Sequence, residues 1–168
     1  TVGLYTACKD PDPAPPSLPD GFWGEASAQK NGQLWTADPI CFISLIDGKT
    51  IVIGLDSFFA EYYLKESLYF SNIPPNTGTY KVFPLDITQD ENVEASLGYL
   101  DDDVGIGNYE ILEADSSNFL MLDSYDTLSK EIKGRFDLTF IVGKRPYPNA
   151  PGTIRFRNGN FHGRLHKK

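Results

Sequence analysis

Apolar and polar residues alternate over several short stretches of this chain. In residues 132–140, every second position from Ile132 to Phe140 is apolar or glycine, and polar side chains stand between them. Residues 153–157 repeat this pattern, and residues 50–55 place another apolar row on one face. Successive side chains of a strand point to opposite faces, so this period predicts half-buried β-strands. We expect their core-facing side chains to be Ile51, Ile53, Leu55, Phe136, Leu138, Phe140, Ile154 and Phe156.

Three dipeptides interrupt the apolar stretches at positions that suit tight turns. They are Asn31-Gly32, Asp47-Gly48 and Asn158-Gly159. Asn, Asp and Gly readily take the positive φ values of a type I′ turn, which makes these pairs a strong hairpin signal. We therefore expect a β-hairpin at each of the three pairs, and a chain built of antiparallel meanders.

Five further segments read as short strands, and one segment also has a helical pattern. In residues 58–65, Phe58 and Tyr62 stand four positions apart, as on one face of a helix. The pattern leaves two alternatives for this segment, a single helical turn or no helix. Many short strands with frequent turns predict an all-β fold, an antiparallel meander forming a β-sandwich or open barrel with at most one short helix. The further strand segments are residues 66–72, 79–83, 93–99, 107–112 and 119–122.

Composition supports one ordinary domain. The chain has 168 residues, of which 40% are hydrophobic and 23% charged, values typical of globular proteins. With 11 Phe and 9 Tyr but one Met, the composition favours strands over helices. The net charge of −8 opposes binding to nucleic acid or to an anionic surface. No acidic residue follows Asp137, whereas several Lys and Arg residues do. We expect the C-terminal strands that carry these basic residues to be neutralised by the acidic rest of the domain.

The first 20 residues differ in character from the rest. Cys8 follows the small residues Thr6 and Ala7, which resembles a bacterial lipobox, and the segment Lys9–Asp12 resembles a surface-export signal of Bacteroidota lipoproteins. Five prolines in residues 11–20 favour extended polyproline II, a spacer of about 3 Å per residue. We expect residues 1–20 to comprise a signal-peptide remnant, a lipidation site at Cys8 and a tether of roughly 30 Å, and residues 21–168 to form one β domain. A stray cysteine in a disordered tail is the alternative.

The second cysteine, Cys41, lies in the apolar run 40–43. Buried free thiols behave as small hydrophobic groups, and this is the expected role of Cys41. A disulfide between Cys8 and Cys41 is the alternative in an oxidising envelope, unless Cys8 is acylated.

The order of these features resembles a family of small uncharacterised lipoproteins from Bacteroidota. It rests on Cys8 with its Pro-rich tether and on the segments 28–35, 78–80, 133–136 and 158–161. In that family an N-G-x-x-W start, a G-x-Y before a middle strand and a late G-x-F recur in this order. The resemblance implies an exported protein, anchored in the outer membrane and facing the periplasm or the cell surface. It implies no activity and no site residues.

Signals for catalysis are weak. The only histidines, His162 and His166, lie near the C-terminus opposite the apolar Phe161 and Leu165, and no nucleophile elbow or P-loop is present. We therefore expect no enzyme and no cofactor. A glycosidase built on dispersed carboxylates is a less favoured alternative, for which Glu25, Glu61, Glu66, Glu110 and Glu113 are available.

One acidic run is a weak candidate for a cation. Asp101, Asp102 and Asp103 are adjacent, and Ca²⁺ would relieve their mutual repulsion. The run lacks the alternating spacing of an EF-hand loop, so a solvated hairpin tip is the favoured interpretation, and no other metal site is expected.

Aromatic residues supply the candidates for ligand binding. Trp23, Trp35 and Tyr147 are the residues we select, Tyr147 because it lies in a long loop, although most strand aromatics belong to the core. The function we expect is a non-catalytic cell-envelope lipoprotein domain, held at the membrane through a lipid at Cys8. It would bind a glycan, a small apolar molecule or an envelope protein, and no nucleic acid. The alternative is a structural or assembly lipoprotein without a small-molecule ligand.

Overall fold

A computed structural model describes residues 21–59, 63–86, 91–101, 104–143 and 149–166 of the chain. The predicted lipidation site Cys8 and its tether, the loop residue Tyr147, and two members of the acidic run, Asp102 and Asp103, lie outside the described residues. The middle of the segment with the helical pattern, residues 60–62, also lies outside them.

The described residues form ten strands and contain no helix, which confirms the predicted all-β fold. Phe58 ends one strand and Leu64 begins the next, so the described flanks of the segment with the helical pattern are extended. The arrangement is a mostly antiparallel meander that fits a β-sandwich or open barrel. The strands are β1 (Glu25–Lys30), β2 (Gln33–Ile43), β3 (Ile51–Phe58), β4 (Leu64–Ile73), β5 (Gly78–Pro84), β6 (Val93–Asp101), β7 (Val104–Ile111), β8 (Phe119–Tyr125), β9 (Glu131–Val142) and β10 (Thr153–His166).

The strand pairings trace a circuit. Strands β2, β3, β4 and β6 pair in turn, all antiparallel. Between β6 and β9 two bridges run side by side, one through β7 and one through the β5–β8 pair. Strand β9 pairs with β10, and β10 returns to β2 both through β1 and through a short parallel contact.

The circuit leaves strand ends on two sides of the domain. On one side lie the β2–β3 loop, residues 44–50, the β8–β9 loop, residues 126–130, and the end of β10 at His166; we name this side the loop end. On the opposite end lies the Asn31-Gly32 turn between β1 and β2.

The first two predicted hairpins are present, with different turns. Asn31 and Gly32 have φ values of 49° and 81° and join β1 to β2 directly, as predicted for a two-residue turn. The Asp47-Gly48 pair also connects two antiparallel strands, but it lies inside a seven-residue loop, 44–50, where only Gly48 has positive φ.

The third predicted hairpin, at Asn158-Gly159, is wrong. Strand β10 continues through this pair from Thr153 to His166. Phe156 pairs with Leu138 and Gly159 pairs with Phe136, so an advance of three residues along β10 matches an advance of two along β9. The pairing of β10 with β1 contains the same one-residue excess on β10. The pair therefore forms a β-bulge, in which Asn158 takes a φ of 53°.

The core between the strands is filled with aromatic rings. Phe70 on β4 and Phe136 on β9 belong to strands that do not pair, yet their ring centroids lie 5.7 Å apart. Phe156 lies within 6.3 Å of Phe136 and 6.0 Å of Phe140, in tilted or edge-to-face contacts. The predicted core residues are all buried: Ile51, Ile53, Leu55, Phe136, Leu138, Phe140, Ile154 and Phe156.

Candidate functional site

The loop end carries an apolar groove. Its volume is about 520 Å³, which is in the range of small-molecule sites. It lies where β2, β8 and β10 end, and its walls are largely apolar. We call this the apolar groove; its lining residues are Phe42, Ile43, Ser44, Leu45, Gly48, Tyr125, Lys130, Leu165 and His166.

One wall of the apolar groove is the β2–β3 loop, which is held by Asp47. The Asp47 carboxylate accepts hydrogen bonds from the backbone N–H groups of Lys49 and Thr50, at 2.8 and 3.0 Å, and from the Thr50 hydroxyl at 2.7 Å. These bonds lower the pKa of Asp47 to about 2. The loop is also closed at its base, because Ser44 N–H donates to the Thr50 carbonyl at 2.8 Å.

The facing wall is the β8–β9 loop, which is also held by hydrogen bonds from backbone N–H groups to an aspartate side chain. The Asp126 carboxylate accepts from the N–H groups of Leu128 and Ser129, and these bonds lower its pKa. The loop ends at Lys130, which takes a φ of 65° and whose carbonyl accepts a 2.9 Å hydrogen bond from Leu165 N–H of β10. Each loop is therefore held by hydrogen bonds to its own aspartate.

The polar part of the apolar groove is basic rather than acidic. Its side chains with polar groups among the described residues are Ser44, Tyr125, Lys130 and His166, and no carboxylate is among the described lining residues. The arrangement can accept an apolar chain between Phe42, Leu45 and Tyr125, with a polar or anionic group toward Lys130.

Apolar side chains also extend beyond the groove into solvent. Leu45 and Ile46 on the β2–β3 loop are 73% and 92% exposed, and Leu128 on the β8–β9 loop is 93% exposed. A group of exposed apolar residues on adjacent loops is typical of an interaction surface.

Trp35 occupies a buried polar network at the opposite end. Its indole N–H donates a 2.6 Å hydrogen bond to Glu66, and the other oxygen of Glu66 accepts from the Lys30 ammonium. Lys30 also donates to the Tyr99 hydroxyl at 2.7 Å, and the Trp35 ring packs edge-on against Phe156 at 5.0 Å. Burial lowers the pKa of Lys30, although the Glu66 carboxylate acts in the opposite direction. Trp35 is 6% exposed, so its ring face is taken up by the core.

Trp23 lies in a separate cluster on the outside of β10. The Arg164 guanidinium lies 4.1 Å from the centre of the indole, and the His162 ring packs edge-on at 4.9 Å. Glu131 accepts hydrogen bonds from His162 at 3.0 Å and from Arg164 at 3.1 Å, and both contacts lower its pKa. Trp23 and Trp35 therefore have different partners and do not form one aromatic platform.

The remaining predicted site residues gather around no ligand position. Tyr147 lies outside the described residues, and Asp101 is an exposed residue at the end of β6, while its two acidic neighbours are outside them. Over the described ranges, no group of three or more His, Cys, Asp or Glu is placed to hold a metal ion. Glu66, one of the five available glutamates, is engaged by Trp35 and Lys30.

Sequence reasoning missed the apolar groove. Phe42, Ile43 and Leu165 follow the same alternation as core residues, and nothing in that pattern separates a groove wall from a filled core. A signal was available for the exposed apolar surface beside the groove: Ile46 and Leu128 are large apolar residues in loop segments, where polar residues are usual.

Similarity to known proteins adds no further constraint. Comparison with protein-family models, curated proteins and solved structures finds no match to this chain. In the described part of the chain, there is no helix with the length and apolar character needed to cross a bilayer.

Proposed function

We propose that this chain is a non-catalytic lipoprotein domain of the cell envelope that binds a small apolar ligand in the apolar groove. The observation that carries the proposal is the groove of about 520 Å³ between two loops, each fixed by an aspartate. Preformed walls favour binding because little conformational entropy is lost when the ligand enters.

The chemistry of the groove favours an apolar ligand over a glycan. Sugars bind through exposed ring faces, whereas Trp35 is buried and one face of Trp23 carries Arg164. The groove offers apolar walls with Lys130 and His166 as its basic groups. A ligand with an acyl chain and one anionic group, such as a fatty acid, satisfies both features.

Titration of a fluorescent fatty acid tests this proposal. Dansyl-labelled undecanoic acid is added to the whole chain, and we expect a saturable rise and blue shift of dansyl emission. Leu45→Glu places a carboxylate in the groove wall and should weaken binding by about tenfold or more, a change of about 1.4 kcal/mol.

The matched control is Leu34→Glu. Leu34 is 76% exposed, close to the 73% of Leu45, but it lies at the opposite end in β2. Leu34→Glu should bind the probe as the parent does. Absence of saturation, or equal binding by both variants, would contradict a ligand site in the groove.

A structural or assembly role is the second candidate. It is favoured by the filled core and by the exposed Leu45, Ile46 and Leu128, which suit docking to a neighbouring molecule. If this role holds, binding of the fluorescent fatty acid does not saturate. The chain, cross-linked in envelope preparations and then purified, is recovered with a discrete envelope protein. Ile46→Asp should then remove that cross-linked product.

The lipoprotein assignment depends on Cys8. The chain is produced in a bacterium behind a lipoprotein signal peptide, and its N-terminal peptide is measured by mass spectrometry. We expect a diacylglyceryl-modified Cys8 and partition of the chain with membranes. Cys8→Ser should abolish both, and an unmodified Cys8 in the membrane-free fraction would overturn the anchoring.

A further inference from the structure

The first described residues run toward the loop end of the domain. Glu25 pairs with His162 on β10, and Gly21 lies beside the end of the same strand, where a Cβ on Gly21 would be 4.0 Å from the His166 ring. The intervening Trp23 N–H donates to the Pro39 carbonyl at 3.1 Å, which fixes this course on β2. The chain that precedes Gly21 is therefore joined to the domain at the end that carries the apolar groove.

The same end presents the exposed apolar side chains described above. Leu45 lines the apolar groove, Ile46 follows it on the β2–β3 loop, and Leu128 lies on the β8–β9 loop. Each loop carries one acid and one base, Asp47 with Lys49 and Asp126 with Lys130, so neither loop has a net charge. With no net charge on either loop, a bilayer surface neither attracts nor repels this rim strongly, and the three apolar side chains can enter the headgroup region while the charged groups stay in water.

We propose that the loop end docks on a lipid bilayer, with Leu45, Ile46 and Leu128 inserted at the level of the headgroups. This inference rests on the proposed lipid anchor at Cys8. Residues 9–20, twelve in all, separate the anchor from Gly21, and at about 3 Å per residue they span at most roughly 40 Å. The tether limits how far the domain can lie from the anchor, and insertion of the apolar side chains brings the loop end to the bilayer surface.

Anchoring makes weak insertion sufficient. A tether of this length holds the loop end near the membrane at an effective concentration in the millimolar range. Three apolar side chains that would not retain a free protein can then keep the domain seated. The apolar groove would open at the bilayer surface, so that an acyl chain enters it without crossing water.

The test attaches the whole chain to vesicles through Cys8. Cys41 is fully buried, so maleimide lipids in phosphatidylcholine vesicles couple at Cys8 alone. Ile46→Trp then reports contact with acyl chains through quenching by dibrominated phosphatidylcholine, and Leu34→Trp is the matched control at the opposite end. We expect the brominated lipid to quench a larger fraction of the tryptophan emission in Ile46→Trp than in the parent. The fraction quenched in Leu34→Trp should match that of the parent.

A second substitution tests the neighbouring loop. Leu128→Asp, added to Ile46→Trp, should reduce the quenching. Added salt should leave the quenching of Ile46→Trp unchanged because neither loop has a net charge. Equal quenching of Ile46→Trp and Leu34→Trp would overturn the inference. Sedimentation as a dimer that Ile46→Asp converts to a monomer would also overturn it, because the rim would then join two copies.

The outcome is separable from the proposed function. Chemical coupling does not require natural acylation of Cys8, which mass spectrometry tests by itself. Fatty-acid binding is measured in solution without vesicles. A domain that binds the probe and carries a lipid but shows no quenching would refute only the bilayer contact.

Discussion

The ring of Phe136 on β9 lies against the backbone of Gly159 on β10. A Cβ built on Gly159 would be 2.5 Å from a ring carbon of Phe136, closer than side chains approach in proteins. Phe136 is fully buried and touches the rings of Phe70 and Phe156. The bulge at Asn158-Gly159 therefore positions a glycine where the central ring of the core needs space.

Gly159→Ala should destabilise the domain by about 2–3 kcal/mol, because overpacking displaces a ring that has no free space to move into. The free energy of unfolding is measured by urea denaturation followed by circular dichroism. Gly105→Ala is the control: no atom lies within 4 Å of a Cβ at that position, and we expect a change within about 0.5 kcal/mol. Similar losses in both variants would show that the Phe136 contact is not what requires glycine.

The same pair explains where sequence reasoning failed. Asn-Gly indicates positive φ, which both a type I′ turn and a bulge use, and the local signal does not distinguish them. The distinction comes from partners far along the chain: Asp137 accepts a 2.7 Å hydrogen bond from Asn158 N–H. At Asn31-Gly32 the two flanking strands pair with each other, and there the local prediction is confirmed.

Removing the cation of the buried Lys30–Glu66 pair should be costly. Glu66 is 1% exposed, and without Lys30 its carboxylate would keep only the Trp35 N–H as a described donor. We expect Lys30→Met to lower the free energy of unfolding by about 3 kcal/mol, at the low end for buried pairs because the Lys30 side chain is 18% exposed.

The control for this pair is the surface ion pair between Arg135 and Asp123. Their side chains are 59% and 37% exposed, and Arg135→Met should cost only a small fraction of the loss in Lys30→Met, because solvent screens an exposed pair. Adding Glu66→Met to Lys30→Met should restore part of the loss, since no unpaired charge then remains in the core. A double variant as unstable as the sum of its single variants would contradict the coupling.

Trp35 shows what aromatic content alone leaves undecided in the choice of site residues. A tryptophan in a predicted hairpin fits a sugar platform and a core position equally well, and the decision depends on Glu66, which is 31 residues away. The Glu66 carboxylate satisfies the indole N–H in its buried position, and no local pattern indicates this partner. The alternation that predicted Phe136 and Ile53 succeeded because it reports only which face of a strand is buried.

Asp56 and Asp38 oppose each other across β2 and β3, and this should make stability depend on pH. Burial and the nearby Asp38 raise the pKa of Asp56 in the folded protein. The contribution of Asp56 to stability is therefore fully present below its unfolded pKa of about 3.9, and it is lost as the pH rises through its folded pKa. Asp56→Asn removes this loss. We expect it to be more stable than the parent at pH 7 by about 0.2–1 kcal/mol, with a smaller difference near pH 4.

Asp47→Asn provides a comparison of opposite sign. Hydrogen bonds lower the pKa of Asp47 to about 2, so its contribution is present above its unfolded pKa and is lost as pH falls toward 2. The parent should therefore lose its advantage over Asp47→Asn on acidification, while it gains on Asp56→Asn. Urea titrations at several pH values measure both, and parallel trends for the two variants would refute this assignment.

The two cysteines should differ sharply in reactivity. Cys41 is completely buried, and burial raises the pKa of its thiol to about 12, so very little thiolate is present at neutral pH. The Cys41 sulfur also lies 2.7 Å from where a Cβ on Gly163 would stand, which leaves no room for a reagent. Unlipidated native chain should therefore react with Ellman's reagent at one thiol, and chain unfolded in guanidinium at two. Cys8→Ser should show none in the native state and one when unfolded. No thiol in the native parent, and none after unfolding without a reductant, would instead indicate the disulfide between Cys8 and Cys41.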